Sequence, residues 1–318
     1  MKKIRIHFDM DLDYISLKYF DTLPGIKNNF EFVVDRVNPQ IVFYYNRNQI
    51  KNPVRSKFKC KHLLFCYEYM VPNMRMWDYA LQWNYTSDPR QLRFPNYVHF
   101  GAGEDLVKPT QYDPEKILRS KTKFCAFVQY SSNAYRNQFF DLLNAKKHVD
   151  SPGRQRNNLP TLGGHKNVRS SRYDIRSIEE NPNILGWVAD LRNFLKDYKF
   201  VITFENRITS GYTTEKIYNP MVVNCLPIYL GAPDIQRDFN PKSFVHVRNF
   251  FSKNVSISTG ALYPKEFSKA VQYILELDKN DKAYCNTLAQ PWYYNNMVSE
   301  YANKDNISNF FTRVFNDL

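Results

Sequence analysis

The chain is 318 residues long, 43% apolar and 16% aromatic, with 44 basic against 31 acidic residues and a formal net charge of +13. That length exceeds what one hydrophobic core usually spans, and that composition can fill two, so a two-domain globular protein is expected. The charge calls for an acidic partner, but the basic residues are spread widely and carry neither zinc-finger spacing nor an RNA-binding aromatic signature, which argues against nucleic acid.

Met1-Lys-Lys leads straight into an alternating run, Lys3–Phe8, that predicts a strand. No apolar leader precedes it and no later run approaches a bilayer span, so a soluble cytoplasmic protein is expected. Five cysteines (60, 66, 125, 225, 285) form no C-x-x-C pair and read as reduced and buried. Asp9-Met-Asp11-Leu-Asp13 contains D-x-D twice; a structural loop, an acceptor contact and a metal site remain open for it. Short apolar runs at 40–45, 61–67 and 79–83 predict further strands of a parallel sheet. Glu68 directly follows the second of these, at the strand's carboxyl end, where ligands bind in open α/β sheets.

Residues 104–121, rich in Pro, Lys and Asp, break the pattern and predict a linker. A second series of strands follows at 123–128, 200–204, 226–230 and 244–247, with helical patterns at 134–143, 185–197, 215–224 and 264–278. Strands alternating with helices imply doubly wound α/β sheets. Between them, 146–176 holds eight Lys/Arg and only two Asp, and predicts a mobile basic loop, either merely solvated or folding over an anionic ligand.

The most informative stretch is Phe204-Glu-Asn-Arg-Ile-Thr-Ser-Gly-Tyr-Thr-Thr-Glu-Lys216. A strand enters a loop carrying Glu205, Asn206 and Gly211, and the loop opens into a helix with Thr as its cap. That arrangement suits a nucleotide diphosphate at a helix N-terminus, and also suits an ordinary strand–loop–helix connection. On the first reading Lys216 meets phosphate, Glu215 accepts from the ribose hydroxyls, and Asn206 and Tyr212 adjoin the donor sugar or phosphate. Glu205 is either a further ligand contact or a structural carboxylate at the strand end.

Phe204-Glu-Asn206, Gly211-Tyr-Thr-Thr-Glu-Lys216, Pro227-Ile-Tyr-Leu-Gly-Ala-Pro233 and Asp238-Phe-Asn-Pro-Lys-Ser-Phe244 stand in this order. Together they resemble the signature of the α1,3/4-fucosyltransferases, with weaker similarity upstream at Phe127-Val, Arg136-Asn, Arg156-Asn and Glu68…Pro72-Asn73. The resemblance implies a GT-B-like α/β fold, two Rossmann-like doubly wound domains facing across a cleft. The boundaries expected are 1–118 for an acceptor domain and 119–285 for a GDP-fucose domain. A helical segment, 286–318, is expected to pack back toward the first. It implies an inverting transfer of fucose from GDP-fucose to a GlcNAc-containing glycan, in α1,3 or α1,4 linkage. Such a displacement needs a base for the acceptor hydroxyl and positive charge for the departing diphosphate. The family pattern gives the first role to Glu68 and shares the second between Arg156 and Lys216. With those two cations no metal is required, Mn²⁺ being at most stimulatory.

Animal and plant members resemble Golgi enzymes on a membrane stalk, so a luminal fragment is the alternative to a cytoplasmic enzyme. Pro220 inside the predicted helix and Arg207-Ile208 after Glu-Asn depart from the family pattern. Another GDP-sugar on the same fold, or a basic nucleic-acid-binding protein, are the competing functions.

Overall fold

The structure, a computed structural model, describes residues 1–9, 13–44, 58–66, 69–162, 186–258 and 260–318. They form two compact units, residues 1–99 with 299–318, and residues 100–298. The division falls at His99, short of the expected 118, and the return to the first unit comes at Ser299 rather than 286.

The first unit is a six-stranded parallel sheet of β1 (Lys2–Phe8), β2 (Phe30–Val34), β3 (Ile41–Tyr44), β4 (Lys61–Cys66), β5 (Tyr79–Gln82) and β6 (Gln91–Arg93). Their order is β2-β1-β3-β4-β5-β6. The central strands β3 and β4 are buried along most of their length, as parallel strands covered on both faces must be. Helix Lys304–Asn316 belongs to this unit. Asn303 caps it, its Oδ1 accepting from the Asp305 and Asn306 N–H groups at 2.8 and 3.1 Å. Ile307, Phe310, Phe311, Val314 and Phe315 recur at helical spacing and are all buried. Phe311 and Phe315 pack edge-on against Phe20, at 5.0 and 5.4 Å between centroids, and Phe315 also meets Phe30 and Phe32.

The second unit is a five-stranded parallel sheet of β7 (Lys123–Ala126), β8 (Val149–Asp150), β9 (Tyr198–Ile202), β10 (Leu226–Tyr229) and β11 (Val245–His246). Its order is β11-β10-β9-β7-β8. The chain moves outward in opposite directions from β7 and β9, so their carboxyl ends flank a topological switch point, the usual ligand crevice of such sheets.

Two expectations need correction. The stretch 104–121 is not a linker but part of the second unit, with a short 3₁₀ turn at Glu104–Leu106 and helix Pro114–Ser120. Its Pro and Asp are a helix start: Asp113 Oδ1 accepts from the Lys116 N–H at 2.9 Å and Pro114 occupies the first turn. The basic loop is likewise folded over its described part, 146–162. Ser151, Pro152 and Gly153 are buried behind β8, and Ser151 Oγ donates to the Gln155 carbonyl at 2.8 Å. A Cβ on Gly153 would lie 2.4 Å from the Gln129 carbonyl oxygen, so only glycine fits against the loop leaving β7. The remainder of that loop, from 163, lies outside the described residues.

Among the described residues no helix is long and apolar enough to cross a membrane. All five cysteines are free thiols; three are buried, while Cys60 and Cys285 are partly exposed.

Candidate functional site

β9 does not stop cleanly at Ile202. Thr203 and Glu205 continue its pairing through backbone N–H bonds to the Ile228 and Leu230 carbonyls, both 2.8 Å. The carbonyls on the other side are taken by the start of helix Ala134–Asn144. Arg136 Nη2 donates to the Phe204 carbonyl at 2.6 Å, and the Tyr135 hydroxyl donates to that of Glu205. The Tyr135 ring also lies flat on Phe204, 5.8 Å between centroids.

The Glu205 carboxylate is fully buried. Its Oε1 accepts from the Thr214 N–H and its Oε2 from the Thr214 hydroxyl, each at 2.7 Å. Thr214 in turn caps helix Glu215–Val222, its Oγ1 accepting from the Lys216 N–H at 3.4 Å. Burial pushes the Glu205 carboxyl pKa up, against the pull of Lys216. The carboxylate reaches Thr214 past Gly231, where an added Cβ would stand 2.5 Å from Glu205 Cγ and 2.3 Å from the Tyr229 hydroxyl. That hydroxyl accepts the Ala232 N–H at 2.9 Å. Asp234 accepts from the Gly211 N–H at 3.0 Å and from the Ser210 hydroxyl, and Asp238 from the Thr213 hydroxyl at 2.8 Å. Gly211 has φ 78°, a left-handed turn that favours glycine. The four segments carrying the sequence resemblance are thus tied into one cradle around the first turn of helix Glu215–Val222.

Lys216 sits at the mouth of this cradle with its side chain 19% exposed. Its Nζ is 3.2 Å from Thr214 Oγ1, 3.3 Å from Glu215 Oε1 and 3.9 Å from Glu205 Oε2. A partly exposed ammonium at a helix N-terminus, fixed by two carboxylates, is suited to hold an anion beside hydroxyl groups.

The Glycosyltransferase family 10 (fucosyltransferase) C-term pattern matches residues 118–310, more than half of the chain and all of this cradle. The chain belongs to that fucosyltransferase family. It is 28% identical over 311 residues to "Alpha-(1,3)-fucosyltransferase FucT" of Helicobacter pylori, covering 84% of this chain and 57% of that protein. It is 25% identical over 266 residues to "GDP-fucose protein O-fucosyltransferase 3" of Xenopus laevis, covering 80% of this chain and 51% of the relative. The chain therefore spans little more than half the length of these curated relatives. A crystal structure of an alpha1,3-fucosyltransferase with GDP matches with TM-score 0.66 at 23% identity, over 99% of this chain and 91% of that one. The two parallel units are accordingly the Rossmann-like pair of a GT-B fucosyltransferase fold.

Within this family fold, the residues expected at the donor site do not all meet. Glu205, Glu215 and Lys216 come together. Asn206 is half-buried beside them in sequence, and Tyr212 is only 2% exposed. Glu205 has both oxygens engaged by Thr214, so its geometry is that of a structural carboxylate. Arg156 is elsewhere engaged: its Nε and Nη2 grip the two oxygens of Asp141 at 2.7 and 2.6 Å, from a backbone at φ 52°. Glu68 and Asp11 lie outside the described residues. Among the described residues no cluster of three His, Cys, Asp or Glu has metal-binding geometry.

Pro220 does not end the helix, which continues to Val222, although proline removes the N–H that would pair with the Lys216 carbonyl.

Arg136, at the start of helix Ala134–Asn144 beside the cradle, is not among the residues expected at the site. It is 1% exposed at the switch point, and its Nε finds no hydrogen-bond partner among the described residues. An arginine in the first turn of the helix after β7 was the available signal, since a buried guanidinium has to serve some acceptor.

Proposed function

We propose that the chain is an inverting fucosyltransferase that moves fucose from GDP-fucose to a hydroxyl of a GlcNAc-containing glycan, in α1,3 or α1,4 linkage. The observation that carries this reading is Lys216, presented at the helix N-terminus by the Glu205–Thr214 cradle within a fucosyltransferase-family fold. The ammonium meets the diphosphate and gains strength as negative charge develops on the leaving group. Glu215, 16% exposed beside it, accepts from the ribose hydroxyls. Arg156 supplies a second cation once it exchanges Asp141 for phosphate, and Glu68 removes the proton from the acceptor hydroxyl. With charge supplied by side chains, transfer proceeds without a bound metal.

The similarity to a protein O-fucosyltransferase supports a second reading, in which the acceptor hydroxyl belongs to a protein side chain. One experiment addresses both: GDP-fucose, with ADP- and UDP-sugars as controls, is offered with N-acetyllactosamine-type oligosaccharides and with Ser/Thr peptides, before and after exhaustive chelation. Fucosylated oligosaccharide that survives chelation is the expected product. Fucosylated peptide alone would transfer the reading to the protein-acceptor class. No transfer to any acceptor would overturn it.

A further inference from the structure

In the first unit β4 and β5 finish in register, Cys66 opposite Gln82. Just past those carboxyl ends stand Tyr69 and Trp83, their rings stacked with centroids 5.4 Å apart and planes 21° from parallel. The two members of the pair differ in exposure: Trp83 is 4% exposed and Tyr69 45%. Trp83 is held on several sides. Its Nε1 donates to the Met70 carbonyl at 2.9 Å, and its own carbonyl accepts from Arg93 Nε at 3.1 Å. The Arg93 guanidinium is itself held between the Tyr85 and Tyr301 rings, at 4.4 and 4.0 Å. The Met70 carbonyl also accepts the Cys66 thiol at 3.0 Å, which ties the Tyr69–Met70 turn back to the end of β4.

An exposed tyrosine gains little by hydrophobic burial, and on an ordinary surface it samples several rotamers. Here a buried indole sets the orientation of the phenol before any ligand arrives, so covering it costs little further side-chain entropy. A pyranose ring offers a matching surface. One of its faces is a set of C–H groups with partial positive charge, which packs against the negative face of an aromatic ring. The carboxyl edge of a parallel sheet is where open α/β units take their ligands, and for a glycan fucosyltransferase a sugar of the acceptor is a ligand of matching chemistry.

We propose that Tyr69, backed by Trp83, is a stacking platform for a pyranose ring of the acceptor glycan. The proposal rests on the reading of this chain as a glycan fucosyltransferase and adds a specificity-determining residue to it. Tyr69 selects and orients the acceptor; it takes no part in proton or phosphate chemistry.

The test compares Tyr69→Ala, Tyr69→Phe and the parent protein in acceptor titrations with N-acetyllactosamine at saturating GDP-fucose. GDP affinity is measured on the same samples, and saturation-transfer NMR of the oligosaccharide is recorded without any donor. Tyr69→Ala should raise the acceptor KM about tenfold, with kcat falling less than KM rises and GDP affinity unchanged. Tyr69→Phe should stay close to the parent. Saturation should be strongest on the protons of one sugar face and lost in Tyr69→Ala. An unchanged acceptor KM in Tyr69→Ala overturns the platform, as does a parallel loss of GDP affinity, which would mark a structural role. If the parent transfers no fucose, the functional reading fails by itself. The NMR arm, run on a panel of oligosaccharides, then decides the platform alone, and absence of saturation on every sugar overturns it.

Discussion

Glu205 and Thr214 are joined twice, the carboxylate taking both the backbone N–H and the hydroxyl of the residue that caps helix Glu215–Val222. A fully buried carboxylate in that position orients the first helical turn and, through it, Lys216. Glu205→Ala strands the Thr214 N–H and removes a charge partner, which should cost about 3 kcal/mol of folding stability. Urea denaturation and GDP titration on the same variant check this, and both should weaken together. GDP affinity lost from a protein of parent stability would make Glu205 a direct ligand contact.

On the proposed function, Lys216→Ala removes an ammonium that acts more strongly on departing GDP than on bound GDP-fucose. The rate should fall about tenfold to hundredfold while donor affinity falls less. Steady-state kinetics with GDP-fucose varied gives the split. Normal turnover in the variant would place the phosphate site elsewhere.

The bidentate Arg156–Asp141 pair competes with any phosphate for the same guanidinium. Both side chains are about half exposed, so the pair is weak and easily exchanged. Asp141→Asn should therefore tighten GDP binding a few-fold, and Arg156→Ala should weaken it by a larger factor. Isothermal titration of both variants tests the pairing; unchanged affinity in both removes Arg156 from the donor site.

Glu68→Gln preserves size but cannot take a proton. Transfer should fall by about 10²–10⁴ with GDP affinity retained. Transfer at the parent rate would shift the base to another carboxylate, with Asp11 and Asp13 next to be examined.

His246 at the end of β11 is 8% exposed between the Tyr229 and Phe244 rings, and its Nε2 has no partner among the described residues. Burial, with Arg248 adding to it, lowers its pKa from 6.5 to about 4. Above pH 6.5 the imidazole is neutral in both folded and unfolded chains. As pH falls toward 4 the unfolded chain binds the proton and the folded one does not, so stability drops across that window by about 3 kcal/mol in all. His246→Phe should flatten this acid limb between pH 6.5 and 4, read from urea midpoints at each pH.

Strands such as Lys61–Cys66 and Leu226–Tyr229 were legible because a largely apolar run met a turn signal there. β2 escaped notice because Glu31 breaks its apolar run on a half-exposed strand, and β8 because it is only two residues long. Asp113-Pro114 looked like a chain break and is a helix cap, since the same residue types serve both purposes. The cradle segments were visible as words, but their mutual contacts were not. Nothing local says that Gly231 must be small because Glu205 passes over it, or that Arg156 will find Asp141 on an earlier helix.

Helix Lys304–Asn316 completes the aromatic core of a unit whose sheet is built from the first hundred residues. During synthesis the ribosome delivers all of residues 100–298 before that helix emerges. The second unit has its whole chain available and can close first, while Phe20, Phe30 and Phe32 wait with their apolar faces uncovered. The nascent first unit is thus the stretch that waits uncovered, and a chain ending at residue 298 would hold the whole sequence of the second unit attached to an unfinished first one.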